Sequence, residues 1–503
     1  MPPSEPERPC PPANASPTLA PPRAATDAQA LAATRQSIPR SRGITASEQI
    51  LADLCSRTFL RLWSYPNIYR NQCSSPTNPS GKEICDLLVV CDDHLIIFSD
   101  KSCTFPSSGI VAKDWNRWFH RSIEKSASQI AGAERWLKTH PDRVFLDRDC
   151  QYRFPLPLSP WETFHVHRVV VALNAAQRCR AELGGSGSLI IDPSIDGAAH
   201  TDSNNPDYQP FAVGWVRSDL GYIHVLDDIT LATVLQALDT VTDFVEYLDK
   251  KESLIKSGTL HWAPGEEDLL AVYVSHIDES GAHTFPVPED AHRIAIKERS
   301  WLQVLSNPSY QRKIAADRDS FLWDAIIEDF SGHVFSGTLL AIEPFAIDHV
   351  ETPLRIMARE PRVVRRLLAK SLKDKLARVP DGMIGVRYML SQTQEGVGYV
   401  YLLFPYDHSA PHEHYRVKRQ RYLSDCCLLF AWTHRKLREI VGIATETGLN
   451  NGGRSHDLLY FAPGEWTPAA EAEAARLQMA RGLLVDGNVT AYNVDEKEYP
   501  DPQ

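Results

Sequence analysis

The stretch GKEICDLLVVCDDHLIIFSDKSC, residues 81–103, decides how the chain is read. Two apolar runs, EICDLLVVC and HLIIFSDKSC, flank Asp92 and Asp93, a dipeptide suited to a tight turn. The pattern predicts a β-hairpin apolar on both faces, which calls for helices to cover it. With a two- or four-residue loop centred on Asp92 and Asp93, opposed residues have numbers that sum to 185, so Asp86 faces Ser99. Side chains alternate along a strand, so Lys101 shares the face of Ser99 and converges with Asp86.

Upstream, ITASEQILADLCSRTFLRLWSY (44–65) spaces Ile50, Leu51, Leu54, Phe59, Leu62 and Trp63 as one amphipathic helix. Thr45 and Glu48 form the T-x-x-E pattern of a capping box, in which the glutamate bonds the N-cap amide. A short extended segment, Asn67 to Gln72, and the polar loop SSPTNPSG lead into the hairpin. Downstream, WNRWFHRSIEKSASQIAGAERWLKTH (115–140) predicts a long helix that buries Trp118, Ile123, Ile130, Ala133 and Leu137. HVHRVVVALN (165–174) reads as a buried strand, with His165 and His167 on one face as packing and hydrogen-bonding groups ahead of metal ligands. The order is helix, three strands, helix, strand: a layered α/β unit.

GKEICDLLVV and LIIFSDKS, in that order of elements, resemble the restriction endonuclease-like PD-(D/E)xK nucleases, over residues from about Ile44 to Asn174. The resemblance implies an αβββαβ core, a divalent cation (Mg²⁺, or Mn²⁺) held by Asp86, and a Lys101 that orients the attacking water and steadies the charged transition state. It also implies a glutamate on the first helix and a glutamine on the second, positions filled by Glu48 and Gln129. The family's second acid stands two residues before the lysine, where this chain has Ser99; Asp100 is adjacent and is expected on the other face. Three accounts follow. A bulge turns Asp100 into the site, Glu48 supplies the missing carboxylate, or the site only binds. We take the site as catalytic, with Asp86, Asp100 and Glu48 as metal ligands. The substrate expected is DNA ahead of RNA, in the setting of a prokaryotic restriction or antiphage system.

The rest of the chain sets limits. Its 503 residues and hydrophobic fraction of 43% allow several buried cores. A net charge of -11 argues against a protein that coats nucleic acid non-specifically, although Arg117, Arg121, Lys125 and Arg135 on the second helix form a local cationic set. Ten cysteines without a CxxC pair read as reduced core residues of a cytoplasmic protein. No apolar run is long enough to span a bilayer.

Residues 1–43, rich in Pro and Ala, read as a disordered tail, and 44–255 as the nuclease-like domain with an extension. Residues 256–380 read as mainly helical and end in the basic stretch REPRVVRRLLAKSLKDK; 381–503 read as an α/β domain of unknown role, available to a partner protein. His408, His412 and His414 match no standard metal site, and the glycines of GGSG (184–187) read as a turn.

Overall fold

Helix α1 (Ala46–Thr58) begins where its sequence says it should: the Thr45 hydroxyl accepts from the Glu48 amide, and the Glu48 carboxylate closes the capping box on the N-cap amide. The helix ends sooner than its apolar spacing predicts. The Phe59 amide bonds Cys55 O and Leu60 takes φ +62°, so Leu62 and Trp63 lie in the turn beyond α1, still fully buried. The computed structural model describes residues 32–33, 37–71, 81–341, 347–448, 454–485 and 496–502. Most of the expected disordered tail and the loop before the hairpin lie outside these residues. The tail's last part does not: the Ile38 amide bonds Phe335 O, and Arg40 reaches Ser64.

Strands β1 (Ser64–Asn71), β2 (Gly81–Cys91) and β3 (His94–Lys101) follow α1. Pairs from Leu87 with Phe98 to Cys91 with His94 all sum to 185, the register expected from the turn. Asp92 takes φ +56°, a conformation aspartate tolerates better than most residues. Helix α2 (Val111–Phe119) continues through a π-turn, His120–Glu124, into α3 (Lys125–Thr139), and β4 (Val144–Phe145) and β5 (His165–Ala172) come next. After α4 (Ala176–Leu183), strands β6 (Ile190–Asp196) and β7 (Ala212–Trp215) pair with each other, and β8 (His224–Leu226) joins the main sheet. That sheet has the order β4-β1-β2-β3-β5-β8, antiparallel through β3 and parallel from β3 to β8. Helix α1 packs on β1 to β3 and α3 on β2, β3 and β5, which accounts for strands apolar on both faces.

Two helices follow, α5 (Thr230–Ala237) and α6 (Val241–Lys256). Thr240 caps the second by accepting from the Asp243 amide. The short pair β9 (Leu260–Trp262) and β10 (Ile294–Ala295) brackets α7 (Glu266–Ser275), and α8 (Ser300–Ser306), α9 (Pro308–Asp317), α10 (Phe321–Ser336), α11 (Asp348–Ala358) and α12 (Arg362–Arg378) complete the middle region. The basic stretch on α12 turns inward. Arg362, Arg365 and Arg366 are buried and paired with Asp239, Asp324 and Asp317 at 2.6–2.8 Å. Buried guanidinium groups require such partners. Helix α11 grips the hairpin turn, with Arg355 at 2.8 Å and Arg359 at 3.3 Å from Asp92, and Glu351 accepting from the Trp63 indole.

The last region is also α/β. Strands β11 (Gly385–Leu390), β12 (Val397–Phe404), β13 (Glu439–Glu446) and β14 (His456–Phe461) form a sheet in that order, with α13 (His412–Thr433) crossing between β12 and β13 and α14 (Pro468–Arg481) following. Along β12 the two faces serve different cores: Val397, Tyr399 and Tyr401 join the core shared with the rest of the chain, while Val400, Leu402 and Phe404 pack in a second core with α13. The eight described cysteines outside 1–36 and 72–80 are free thiols, and among the described residues no helix is long and apolar enough to cross a membrane.

At the turn end of the main sheet, His94 lies beside His165 and Ile96 beside His167. His94 Nδ1 and His167 Nε2 are hydrogen-bonded across 3.1 Å, and the rings stack. Burial, with the neighbouring imidazoles His94 and His165 adding to it, pushes His167 down to about 3 from 6.5. A base with a depressed folded-state pKa stabilises the fold fully above 6.5 and loses that contribution as the pH falls towards 3. Denaturant midpoints should therefore drop between pH 6.5 and 4, and His167→Gln should flatten that slope. An unchanged slope in the variant would place the acid sensitivity elsewhere.

Candidate active site

The far end of the hairpin carries the ionisable groups. Beyond Leu87 and Phe98 the ladder continues through a side chain: the Asp86 carboxylate accepts the Asp100 amide at 2.6 Å and the Ser99 hydroxyl at 3.1 Å on the same oxygen. Lys101 Nζ stands 3.6 Å from that oxygen and donates to Asp100 O at 3.0 Å. Asp86 is buried, whereas the Lys101 side chain is 31% exposed. The pair thus joins the sheet interior to solvent. Gln129, on α3, meets Ser99 at 3.4 Å, so it too borders the group. Burial raises Asp86 above its usual value, and Lys101 and the Asp100 amide offset only part of this.

Asp100 points away from Ser99 and towards α1. Burial pushes its carboxyl up to about 6; the Ser47 hydroxyl opposes this, and the charges of Asp86 and Glu48 add to it. Its Oδ1 is buried with no hydrogen-bond partner. Glu48 is committed to backbone and amide: its Oε2 accepts from Ile44 N at 2.8 Å and from Asn67 Nδ2 at 2.9 Å. Burial pushes Glu48 up, but the Asn67 amide and the backbone donors outweigh it and hold it below the usual range.

Two residues of this cluster are not predicted by the sequence. Asn67, fully buried at φ +50°, spends the same amide nitrogen on Glu48 and on Glu83 Oε1 at 2.8 Å, while its oxygen accepts from Ser41. Glu83 lies three residues before Asp86, which alternation would assign to the opposite face. The register, however, shifts: Ile68 pairs with Cys85 and Tyr69 with Glu83, leaving Ile84 without an opposite. One extra residue inverts the alternation and returns Glu83 to the face of Asp86. Burial raises the Glu83 carboxyl, Asn67 opposes it, and the charge of Asp86 adds to it. No glycine or proline marks this bulge in the sequence.

The donor set can be tested against the expected cation. Mg²⁺ takes oxygen ligands and is usually held by one or two carboxylates together with water and phosphate oxygens. Asp86 supplies one such carboxylate; no bulge turns Asp100 to its side, and Asp100 faces α1 with an orphaned Oδ1 of the kind a cation would satisfy. Among the described residues no group of three or more His, Cys, Asp or Glu side chains is placed to hold a metal. The residues therefore fit an ion shared with water and substrate, and not a closed protein cage.

No family model, no curated protein and no solved structure matches the chain.

Replacing Asn67 by glycine keeps the positive φ accessible and removes only the bridging amide. Each hydrogen bond to a charged group contributes about 1.5–3 kcal/mol, so Asn67→Gly should cost roughly 2 kcal/mol or more in a denaturant titration. A glycine variant as stable as the parent would show that the amide does not hold the two glutamates together.

Proposed function

We propose that the chain is a metal-dependent nuclease that hydrolyses phosphodiester bonds in DNA, through a PD-(D/E)xK-like core formed by α1, β1 to β3, α2 with α3, and β5. The observation that carries this reading is the meeting of Asp86, Lys101 and Gln129 around Ser99 at one end of the hairpin. The element order of the unit supports it. In this reading Asp86 would hold Mg²⁺ or Mn²⁺, with Asp100 joining it on turning from α1, and the ion's charge would polarise the scissile phosphate. Lys101, half in solvent beside Asp86, orients the attacking water and balances charge developing on the phosphoryl oxygens. Asp86 and the Asp100 carbonyl fix the lysine's ammonium by their contacts. Glu48 acts through position: its capping box and the Asn67 bridge set where α1 meets the strands.

A cytoplasmic protein of a prokaryotic restriction or antiphage system is the setting this reading favours, with the later regions contacting the target or a partner. A second reading is favoured by Ser99 and by Glu48's commitment to its cap: a nuclease-like protein that has lost cleavage and binds nucleic acid or a partner subunit.

Cleavage of supercoiled, linear and single-stranded DNA with Mg²⁺ or Mn²⁺ tests both. Lys101→Ala and Asp86→Asn should each lower the rate by about 10²-fold or more, the usual effect of removing a group that stabilises transition-state charge. Equal cutting by parent and Lys101→Ala would overturn the assignment of the lysine. Failure of the parent with cutting by Ser99→Asp would establish the binding-only reading.

A further inference from the structure

The helix that delivers Gln129 to Ser99 carries a row of cations at a constant interval: Lys113, Arg117, Arg121, Lys125, then Gln129 itself, each four residues after the last. All four cations are exposed. Among the described residues none of them has a carboxylate within ion-pair distance; Arg121 instead donates to Thr104 O at 2.8 Å, three residues past Lys101. The nearby acid, Glu124, is turned aside to His120 at 2.6 Å.

Some exposed cations on other helices have acidic partners, as Lys256 with Glu252, Arg378 with Asp374 and Arg476 with Glu473, and others, such as Arg57 on α1 and Lys418 and Arg421 on α13, have none among the described residues, but four unpaired cations at a constant interval occur on this helix. The basic stretch on α12 is consumed by internal pairs. In a protein of net charge -11, an uncompensated positive row is a local exception.

The π-turn reduces the winding of the row. At 3.6 residues per turn, an i, i+4 series advances about 40° at each step and winds around the helix. The π-turn His120–Glu124 lies in the middle of the series, where its wider, underwound turn sets back the winding and keeps Lys125 and Gln129 more nearly in line with Lys113 and Arg117. From Lys113 to Lys125 the row is about 18 Å long, the rise of roughly five base pairs.

The aromatic residues between these cations, Trp115, Trp118 and Phe119, are buried, so the row offers no surface on which bases could stack. Single strands are commonly held by such stacking, whereas a duplex backbone needs only charge.

We propose that Lys113, Arg117, Arg121 and Lys125 form a track for the phosphate backbone of duplex DNA that leads one strand to the Asp86 and Lys101 site. The proposal rests on the nuclease reading for its direction, because the row ends at that site. Its test reads binding with cleavage switched off. Affinity of the full chain for a fluorescent 20-base-pair duplex, measured in EDTA over a range of salt, gives a log–log slope that falls by about 0.9 for each phosphate contact removed.

Lys113→Gln with Arg117→Gln and Lys125→Gln, sparing the Arg121 brace, should lower the slope by close to 3 and weaken binding at least 10-fold at low salt. Arg378→Gln with Arg435→Gln and Arg476→Gln makes the same change in net charge elsewhere on the surface and should leave the slope unaltered. Equal slopes for the two triple variants, no duplex binding by the parent, or a preference of the parent for the single strand would each overturn the track. A slope that depends on the row, in a protein that never cuts DNA with Mg²⁺ or Mn²⁺, would keep the track and remove the nuclease reading.

Discussion

The Asp86 carboxylate takes the place of a main-chain carbonyl. By accepting the Asp100 amide it satisfies a donor that the strand ladder no longer reaches, and on the same oxygen it collects the Ser99 hydroxyl. A buried backbone amide without a partner costs free energy comparable to a lost hydrogen bond, so the side chain and the strand end fix one another. Lys101 then finds its anion already positioned, and Asp100, one residue earlier, is left on the side of α1. The uneven environment of the two aspartates follows from that single substitution of side chain for backbone.

Much of this was legible in residues 81–103, because register in a two-residue hairpin is fixed by the turn and face is fixed by period two. The Thr45 to Glu48 cap was equally local and equally legible. What the pattern did not contain were events set by tertiary packing. The bulge at Ile84 turns Glu83 inward without any marker residue, and Leu60 at φ +62° stops α1 while Leu62 and Trp63 still bury themselves as a longer helix would have done. The family resemblance remains one of motif and element order.

Charge in this protein is partitioned by depth. Arg362, Arg365, Arg366 and Arg419 lie in the interior, each tied to aspartates or glutamates. The sequence REPRVVRRLLAKSLKDK looks like a nucleic-acid-binding stretch by composition, yet its arginines bind helices together. A row of exposed cations without acidic partners among the described residues is instead spread at about one per turn along α2 and α3, where composition hardly registers it.

The grip of α10 and α11 on the hairpin turn and the segment before β1 joins residues more than 250 positions apart: Asp92 to Arg355 and Trp63 to Glu351 on α11, and Arg61 to Glu328 on α10. A ribosome adds residues from one end, so the strands that carry Asp86 and Lys101 emerge long before the helices that brace them. Non-local contacts of this kind are closed late and slowly. During synthesis the hairpin turn is made before its holders, and the frame around Asp86 and Lys101 is complete only once α10 and α11 have followed.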